Sequence, residues 1–173
     1  INAVGVLAST GKQTFNTIHD EGARTVAKAA KAAGVRTFVH ISAIGADAQS
    51  NSKYARSKAE GERAVLEEFP GAVILRPSIV FGPEDEFFNR FAAMAQMSPF
   101  LPLIGGGETR FQPVYVGDVA AAIKAVVDGK AKPGFDRRVL FGQVMAPMAI
   151  ALLDAQTVHG MHPHQCKAKR FAY

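Results

Sequence analysis

Short apolar runs alternate with stretches of helical periodicity in the first half of the chain. Three runs have the composition of strands buried on both faces: residues 3–7 (AVGVL), 37–42 (TFVHIS) and 72–75 (AVIL). A helix is predicted between the first two runs and ends at Gly34. Its spacing predicts a buried stripe of Ile18, Gly22, Val26, Ala29, Ala30 and Ala33. A second helix is predicted over residues 53–69.

The order of these elements predicts the fold class. Strands that alternate with helices of ten or more residues are joined by parallel crossovers, and the helices then cover both faces of an open sheet. The pattern therefore predicts an α/β protein with a doubly wound parallel sheet.

The following segment is less regular. A short extended piece, residues 78–83, precedes a predicted helix rich in phenylalanine. Residues 111–116 are predicted to form a strand, and the next helix is predicted to take Asp118 as its N-cap and to end at Gly129. The stripe that this helix would bury is Val119, Ile123, Val126 and Val127.

Beyond Gly129 the pattern weakens and the charge changes. Residues 138–141 indicate a strand and residues 146–159 a helix, but the last fourteen residues show no periodicity. Residues 1–129 hold 13 basic and 13 acidic side chains, whereas residues 130–173 hold 7 and 2. We therefore predict a sheet-forming domain over residues 1–129 and a basic C-terminal segment over residues 130–173.

Composition limits the class of protein. With 173 residues, 48% of them hydrophobic, the chain suits one globular domain with a sizeable core. No apolar run approaches the roughly 20 residues that span a bilayer, and the single Cys166 excludes an internal disulfide framework. The net charge of +5 lies in the tail, without interleaved aromatic residues or a DNA- or RNA-binding motif, so we expect no nucleic acid. Because the first residues already have a strand pattern, we expect a segment before Ile1.

Tyr54 and Lys58 are the first candidates for chemistry. They lie four residues apart on a predicted helix, so both side chains project from one face. An ammonium group near a phenol stabilises the phenolate and lowers its pKa, which lets tyrosine exchange a proton near neutral pH, and the lysine can also hold a ribose hydroxyl. The alternative interpretation is an ordinary surface helix.

Ser42 is the third candidate, because it ends the second predicted strand twelve residues before Tyr54. Open α/β sheets bind ligands at the carboxyl ends of their strands, so a hydroxyl at this place can act with Tyr54 and Lys58. The alternative is that Ser42 only hydrogen-bonds the backbone of the loop that it opens.

Other conspicuous residues have simpler interpretations. The helical spacing of Phe87, Phe88 and Phe91 indicates core rather than a substrate pocket, and Arg90 and Arg110 are interpreted as solvated or ion-paired. The tail holds metal-ligating residue types, but Pro163 interrupts any helix there and no second cluster completes a tetrahedral site. We therefore predict no metal site at His159, His162, His164 and Cys166.

Four motifs over roughly residues 1–128 make the chain similar to a known family. In order they are VHISAIGA, YARSKAEGE, ILRPSIVFGPED with FFNRFA, and PLIGGGETRFQPVYVGDVAAAI. Together they resemble the NAD(P)H-binding accessory subunits of respiratory complex I and their alphaproteobacterial relatives, which are atypical extended short-chain dehydrogenases. The resemblance implies the C-terminal two-thirds of a Rossmann-type sheet with a small C-terminal extension, and a cofactor, NADP or NAD, with NADPH favoured.

The resemblance also assigns roles to single residues. Tyr54 and Lys58 match the catalytic-type pair and would also contact the cofactor. From its place at the strand end, Ser42 is the candidate third member of the set and a further cofactor contact. The further cofactor-binding residues that it implies are Arg76, Pro77 and Ser78, in the loop beside the nicotinamide half, and Asn2, Ala3 and Gly5, at the end of the strand that lines the cofactor.

Two departures from the family pattern bear on activity. Catalytic extended members usually carry a serine or threonine one or two positions beyond the strand-end serine, where this chain has Ala43 and Ile44. Fewer donors are then present to polarise a carbonyl, which favours a binding role. In addition, no G-x-G-x-x-G-type turn follows an opening strand, so we expect this chain alone to bind the pyrophosphate poorly.

These features lead to one main hypothesis. The chain is interpreted as an NAD(P)H-binding accessory or assembly subunit of a complex I-type NADH:ubiquinone oxidoreductase, with the nucleotide in a structural role. Its partners would be other subunits of a membrane respiratory complex. It would lie peripherally, on the matrix side of the mitochondrial inner membrane or in the bacterial cytoplasm.

Two alternatives stay open, and with them the question of whether the protein is an enzyme. One is an active NAD(P)-dependent reductase or sugar-nucleotide epimerase or dehydratase, with Tyr54 as the acid. The other is a redox-sensing module that binds NADPH without reacting.

Overall fold

The computed structural model describes residues 1–97, 110–111, 113–130, 138–141 and 146–147. Its helices are α1 Ala23–Ala32, α2 Lys53–Glu68, α3 Glu86–Met97 and α4 Val116–Val127, and a π-helical segment, Asn16–Gly22, leads directly into α1. Its strands are β1 Val39–Ile41, β2 Val73–Pro77, β3 Val80–Phe81, β4 Arg110–Phe111, β5 Val114–Tyr115, β6 Arg138–Phe141 and β7 Ala146–Pro147. No helix in these ranges is both long and apolar enough to cross a membrane.

The described residues fall into two compact units. One comprises those within Ile1–Ser78 and Val116–Gly142, and the other those within Ile79–Tyr115 and Gln143–Tyr173.

The first unit is built on a parallel sheet in the order β1, β2, β6. In β1 and β2, His40 lies opposite Ile74, and in β2 and β6, Leu75 lies opposite Val139. On the side of β1 away from β2, Asn2 adds one parallel bridge to His40. The strand predicted at residues 138–141 is therefore confirmed, and the sheet is parallel throughout the described residues.

Helices cover both faces of this sheet. On one face, Ile74 packs with residues of α1 and α2, including Ala27 and Val65. On the other face, Val39 and Leu75 pack with Val126 of α4. Successive strand residues thus point to opposite helical layers, which confirms the predicted doubly wound α/β class.

The ends of the helices follow local signals in the sequence. Gly34 and Gly129 have φ values of +68° and +70°, which glycine adopts at little cost, and they follow α1 and α4 as predicted. Ser52 caps α2 by accepting the amide of Ala55, so this helix begins within the predicted range.

The strand predicted at residues 3–7 is wrong. After the bridge at Asn2 the chain leaves the sheet, and Leu7 is 87% exposed. Side chains replace strand partners here, because the amide of Val4 donates to Asn2 and the amide of Val6 donates to His19. The apolar composition of this run does not correspond to burial in the structure.

The predicted buried face of the first helix is also wrong. His19, Ala23 and Ala27 are buried, whereas Val26 is exposed. The cause is the π-helical segment, since a π turn bonds each residue to the fifth one along rather than the fourth and so rotates the face that follows.

The second unit contains α3 and two short strand pairs. β3 pairs with β5 in parallel and β4 pairs with β7 in antiparallel fashion. Phe88 is buried and packs edge-on against Phe81 and Phe87, which confirms its predicted place in a core. For Phe87 the core prediction is wrong, because this residue is 36% exposed, and Phe91 is partly buried. Asp85 precedes α3 and accepts the amide of Phe88, so its carboxylate caps the helix.

Three further predictions need correction. The strand predicted at residues 111–116 is two short strands, and because β5 runs directly into α4, Asp118 lies in the first helical turn instead of at the N-cap. Val127, predicted to be buried, is exposed. Ala146 and Pro147 form β7 rather than the start of a helix. The remainder of that helix, and the tail with its histidines, lie outside the described residues.

Candidate functional site

Lys58 brings helix α2 to the carboxyl end of β1. It lies in the second turn of α2, it is 5% exposed, and its Nζ donates to the carbonyl of Ile41 at 2.9 Å. Ile41 is the last residue of β1 and directly precedes Ser42. The structure therefore places Lys58 at the strand end that the sequence predicts to be functional. Burial lowers the pKa of Lys58, and the carboxylate of Glu62 opposes this change.

Tyr54 lies one turn before Lys58, with its ring packed among other rings. Its centroid is 5.9 Å from that of Phe15 and 5.5 Å from that of His19, edge-on in both cases. Burial raises the pKa of Tyr54, because a phenolate is poorly solvated there. This direction is the opposite of the lowering that the spacing of Tyr54 and Lys58 predicts.

Ser42 lies directly after β1 and is 6% exposed. Its amide donates to the carbonyl of Leu75 at 2.7 Å and so continues the pairing of β1 with β2. Its Oγ is buried and has no hydrogen-bond partner within the part of the chain that the structure describes. A buried hydroxyl without a partner is unfavourable, and a ligand group is one way to satisfy it.

The stretch after Asn2 passes close to Lys58. Asn2 is buried, its Nδ2 donates to Nδ1 of His40 at 3.1 Å, and its Oδ1 accepts the amide of Val4. A Cβ added at Gly5 would lie 4.0 Å from Nζ of Lys58. The structure therefore brings Asn2 and Gly5 to the same side as Lys58, while Ala3 between them is exposed.

Arg76 and Pro77 belong to strand β2, not to the predicted loop. The guanidinium of Arg76 donates to both carboxylate oxygens of Glu62, at 2.7 and 2.6 Å, so its side chain is directed at α2 rather than at the predicted cofactor. The carbonyl of Pro77 accepts the amide of Ile44. Pairing with β6 explains why the strand extends this far, and Ser78, partly buried, is the first residue beyond it.

His19 is a site residue that the sequence reasoning missed. It is 2% exposed, its Nε2 accepts the amide of Val6 at 3.0 Å, and its Nδ1 lies 2.8 Å from Oγ of Ser57. Burial, and then the ammonium group of Lys58, lower the pKa of His19. Its signal in the sequence is faint: one polar residue beside Ile18, in a stretch whose buried face depends on a π-helical turn.

Among the described residues, no group of three or more His, Cys, Asp and Glu side chains is arranged to hold a metal ion. Four parts of the chain form the site: the carboxyl end of β1, the first two turns of α2, the stretch after Asn2 and the π-helical segment. It combines a buried ammonium group, a buried hydroxyl and a phenol.

Curated relatives of this chain include respiratory subunits. It is 41% identical over 128 residues to the mitochondrial NADH dehydrogenase [ubiquinone] 1 alpha subcomplex subunit 9 of Arabidopsis thaliana, which covers 73% of this chain and 32% of the relative. The Mus musculus protein of the same name is 43% identical, covering 71% and 33%. A ceramide reductase of Caulobacter vibrioides is 37% identical, covering 72% and 39%. The chain thus spans about a third of the length of these relatives.

Solved structures share the fold at lower identity. The UDP-glucuronic acid 4-epimerase of Bacillus cereus in complex with NAD superposes with a TM-score of 0.74 and 19% identity, covering 92% of this chain and 59% of that chain. A dTDP-4-dehydrorhamnose reductase of Clostridium acetobutylicum gives 0.74 and 18%, covering 92% and 61%. At these identities the likeness concerns the fold, and it confirms the Rossmann-type class.

The family assignment rests on a match of its own. Residues 3–136 match the model of the NAD dependent epimerase/dehydratase family, a span that includes β1, β2 and the pair Tyr54 and Lys58. The family description agrees with the predicted nicotinamide dinucleotide cofactor. By its parallel sheet, its fold relatives and this match over most of its length, the chain belongs to the NAD dependent epimerase/dehydratase family.

Proposed function

We propose that this chain is the nicotinamide-side part of an NAD(P)H-binding accessory or assembly subunit of a complex I-type NADH:ubiquinone oxidoreductase, in which the nucleotide has a structural role. The observation that carries this proposal is the buried Oγ of Ser42 at the strand end, which has no hydrogen-bond partner among the described residues and which a bound ligand group would satisfy. The next two positions, Ala43 and Ile44, supply no hydroxyl. The site is thus better suited to holding a ligand than to polarising one.

The residues present fit the nicotinamide and ribose half of the cofactor. Lys58 donates one of its three N–H groups to the carbonyl of Ile41, so the ammonium group has further donors for ribose hydroxyls. Ser42 offers a hydroxyl without a partner in the described chain, and Gly5 allows close approach beside Lys58. Lys58, Tyr54 and Ser42 would hold this half, while the stretch from Asn2 to Gly5 would line it. When bound, the cofactor supplies hydride chemistry at its nicotinamide ring.

The electrostatics of the pair also favour binding over turnover. A general acid works best with a pKa near the operating pH, but burial moves the pKa of Tyr54 upward. Lys58, which would lower that pKa, instead donates to the backbone of β1. Tyr54 therefore serves as a hydroxyl donor held against the rings of Phe15 and His19.

The relatives support the proposed partners and location. Proteins 41% and 43% identical to this chain are named as subunits of mitochondrial NADH dehydrogenase. We extend this to the present chain as partners in a membrane respiratory complex, with a peripheral position on the matrix side of the mitochondrial inner membrane or in the bacterial cytoplasm.

An active reductase is the second candidate. It is favoured by the likeness to a ceramide reductase and by the placement of Tyr54 and Lys58 in successive turns of α2. This candidate predicts turnover of a carbonyl substrate that is lost when the Tyr54 hydroxyl is removed.

Complementation of a gene deletion tests the proposal against this alternative. The full-length protein is reintroduced as wild type, Tyr54→Phe, Lys58→Met or Lys53→Met, where Lys53 is an exposed lysine at the start of the same helix. Assembled complex I is measured on native gels and bound nucleotide by extraction. We expect loss of assembly in the deletion and full rescue by Lys53→Met. Tyr54→Phe should restore assembly with less bound nucleotide, because one donor is lost, and Lys58→Met should lose bound nucleotide and reduce assembly. An intact complex I in the deletion strain overturns the proposal. NAD(P)H oxidation with a carbonyl panel that Tyr54→Phe abolishes supports the reductase.

A further inference from the structure

A chain of hydrogen bonds runs through His19 from one side of the site to the other. The amide of Val6 donates to Nε2 of His19, and Nδ1 of His19 lies 2.8 Å from Oγ of Ser57. The hydroxyl of Ser57 donates to the carbonyl of Tyr54 at 2.8 Å. The imidazole is stacked on Phe15 and enclosed edge-on by Tyr54, so its position is fixed by packing as well.

These bonds require one protonation state of the ring. Because the single hydroxyl proton of Ser57 is directed at Tyr54, Oγ can only accept from His19, so Nδ1 carries a proton. Because Nε2 accepts the amide of Val6, it carries none. The network therefore assigns a neutral imidazole protonated at Nδ1.

We propose that His19 is a positioning residue of the nucleotide site, whose neutral imidazole ties the stretch after Asn2 to the turn of α2 that carries Tyr54. This inference rests on the nucleotide binding proposed above. His19 acts through its neighbours: Val6 follows Gly5, which passes beside Nζ of Lys58, and Ser57 directly precedes Lys58. Through its two hydrogen bonds, the ring of His19 fixes the stretch after Asn2 relative to the turn of α2 that carries Tyr54. The backbone and the side chains that would contact the nicotinamide half then keep a fixed geometry.

The surroundings of His19 oppose a second proton. Among the described groups, Lys58 and Tyr54 of α2 face His19, and Glu62 of the same helix interacts with Lys58. From β1, His40 faces His19. Asp20 follows it on its own segment, and residues 1–11 carry no charged side chain. A protonated His19 has no lone pair for the amide of Val6, so that bond is lost. Since burial and Lys58 lower the pKa of His19 below 6.5, the tie holds at neutral pH and weakens in acid.

Two substitutions distinguish the effect of the hydrogen bonds of His19 from the effect of protonating its ring. His19→Leu removes both hydrogen bonds, whereas His19→Gln places an amide oxygen where it can accept the amide of Val6 and cannot be protonated in this range. Asn16→Leu is the control, because Asn16 is an exposed residue of the same segment that bonds only to Glu21 among the described side chains. Binding of NADH and NADPH to the full-length protein is measured by calorimetry at pH 7.5 and 5.5, and amide exchange at Val6 is followed in the protein without nucleotide.

We expect His19→Leu to weaken nucleotide binding at least five-fold at pH 7.5 and to speed exchange at Val6 at least ten-fold, with Asn16→Leu unchanged. Wild-type binding should weaken from pH 7.5 to 5.5, by less than the roughly ten-fold that an imidazole of ordinary pKa would give, and by at least twice the factor found for His19→Gln. Titration of the ligand is common to both proteins, so the difference reports His19. If His19→Leu does not fold, the comparison of wild type with His19→Gln decides.

Two results separate failure of this inference from failure of the proposed function. The inference alone is overturned if the wild type binds nucleotide and His19→Leu has the same nucleotide affinity and the same amide exchange rate at Val6. It is also overturned if the affinity of His19→Gln depends on pH as strongly as that of the wild type. Absence of nucleotide binding by the wild type at pH 7.5 overturns both.

Discussion

At the scale of single residues, the pair formed by Glu62 and Arg76 joins the sheet to helix α2. Its geometry is bidentate, and the two side chains are 2% and 17% exposed. A buried ion pair gains little over apolar residues of equal size, but removal of one partner is strongly destabilising because the other buried charge loses its strongest compensation. The pair therefore matters most for what happens when it is broken.

We expect Arg76→Met to destabilise the protein by about 3 to 5 kcal/mol, because the carboxylate of Glu62 loses its bidentate partner in a buried place. The matched control is Arg63→Met. Arg63 pairs with Glu67 on the surface of the same helix, with both side chains substantially exposed, and solvent screening makes the contribution of such pairs to stability small. Urea unfolding followed by circular dichroism measures both variants. Equal losses in the two variants would contradict the assigned importance of burial.

Sequence reasoning at this scale identified residue types better than their partners. The predicted approach of Lys58 to the end of β1 agrees with its bond to Ile41, since helical spacing and strand ends are local features. The partner of Arg76 and the burial of His19 depend on how α2 packs against the sheet and the π-helical segment. This packing cannot be predicted from the sequence of any single segment. Their assignment to a nucleotide site stays a prediction.

At the scale of elements, the close approach of α2 to the π-helical segment depends on Gly61. A Cβ added at Gly61 would overlap the carbonyl oxygen of His19, which is a backbone atom that cannot rotate away. Glycine thus permits the two helices to pack backbone to backbone at this point. The same contact lies one residue from Glu62 and directly beside the ring that organises the site.

Gly61→Ala should destabilise the protein by about 1 to 2 kcal/mol. An alanine inside a helix normally gains about 0.5 to 1 kcal/mol over glycine, but overpacking against a fixed atom costs about 1 to 3 kcal/mol and decides the sign. Gly45→Ala is the control, because a Cβ there meets nothing within 4 Å. Thermal unfolding compares the two. A melting temperature for Gly61→Ala at or above that of wild type would show that the helices can separate without cost.

Helices and strands are predicted correctly where local sequence signals determine them, and incorrectly where contacts with distant parts of the chain determine them. Helix α2 was predicted over residues 53–69 and is found over Lys53–Glu68, because its cap, composition and stop are all local. The run at residues 3–7 has a strand pattern yet leaves the sheet after Asn2, since pairing depends on partners elsewhere in the chain. The π turn likewise depends on packing and could not be read from spacing.

At the scale of the whole molecule, buried histidines couple stability to pH. His40 is buried on β1 with its Nδ1 accepting from Asn2, and burial, followed by the charges of Lys58 and His19, lowers its pKa to about 4. In the unfolded chain the ordinary pKa is 6.5. Between these values the unfolded state binds a proton that the folded state excludes, so stability is lost as the pH falls through this window.

We expect the free energy of unfolding to fall between pH 6.5 and about 4 with a contribution from His40 that approaches about 1.4 kcal/mol per pH unit. His40→Asn keeps an acceptor for the side chain of Asn2 but does not titrate. It should be less stable than wild type at pH 7.5, because a smaller side chain leaves space in the core, yet lose less stability on acidification. Urea midpoints at pH 7.5, 5.5 and 4.5 measure this, and parallel curves for the two proteins would contradict it.

The parallel pairing of β2 with β6 has a consequence for synthesis. Arg138 pairs with Ile74 although the strands lie far apart in the chain, so the ribosome must make the whole intervening stretch before β6 can form. For several seconds at ordinary elongation rates, the outer edge of β2 has no partner on the nascent chain. Such an edge is a template for strands of other molecules. The nascent polypeptide is therefore exposed to aggregation until β6 emerges, and a chaperone that shields β2 would act in that interval.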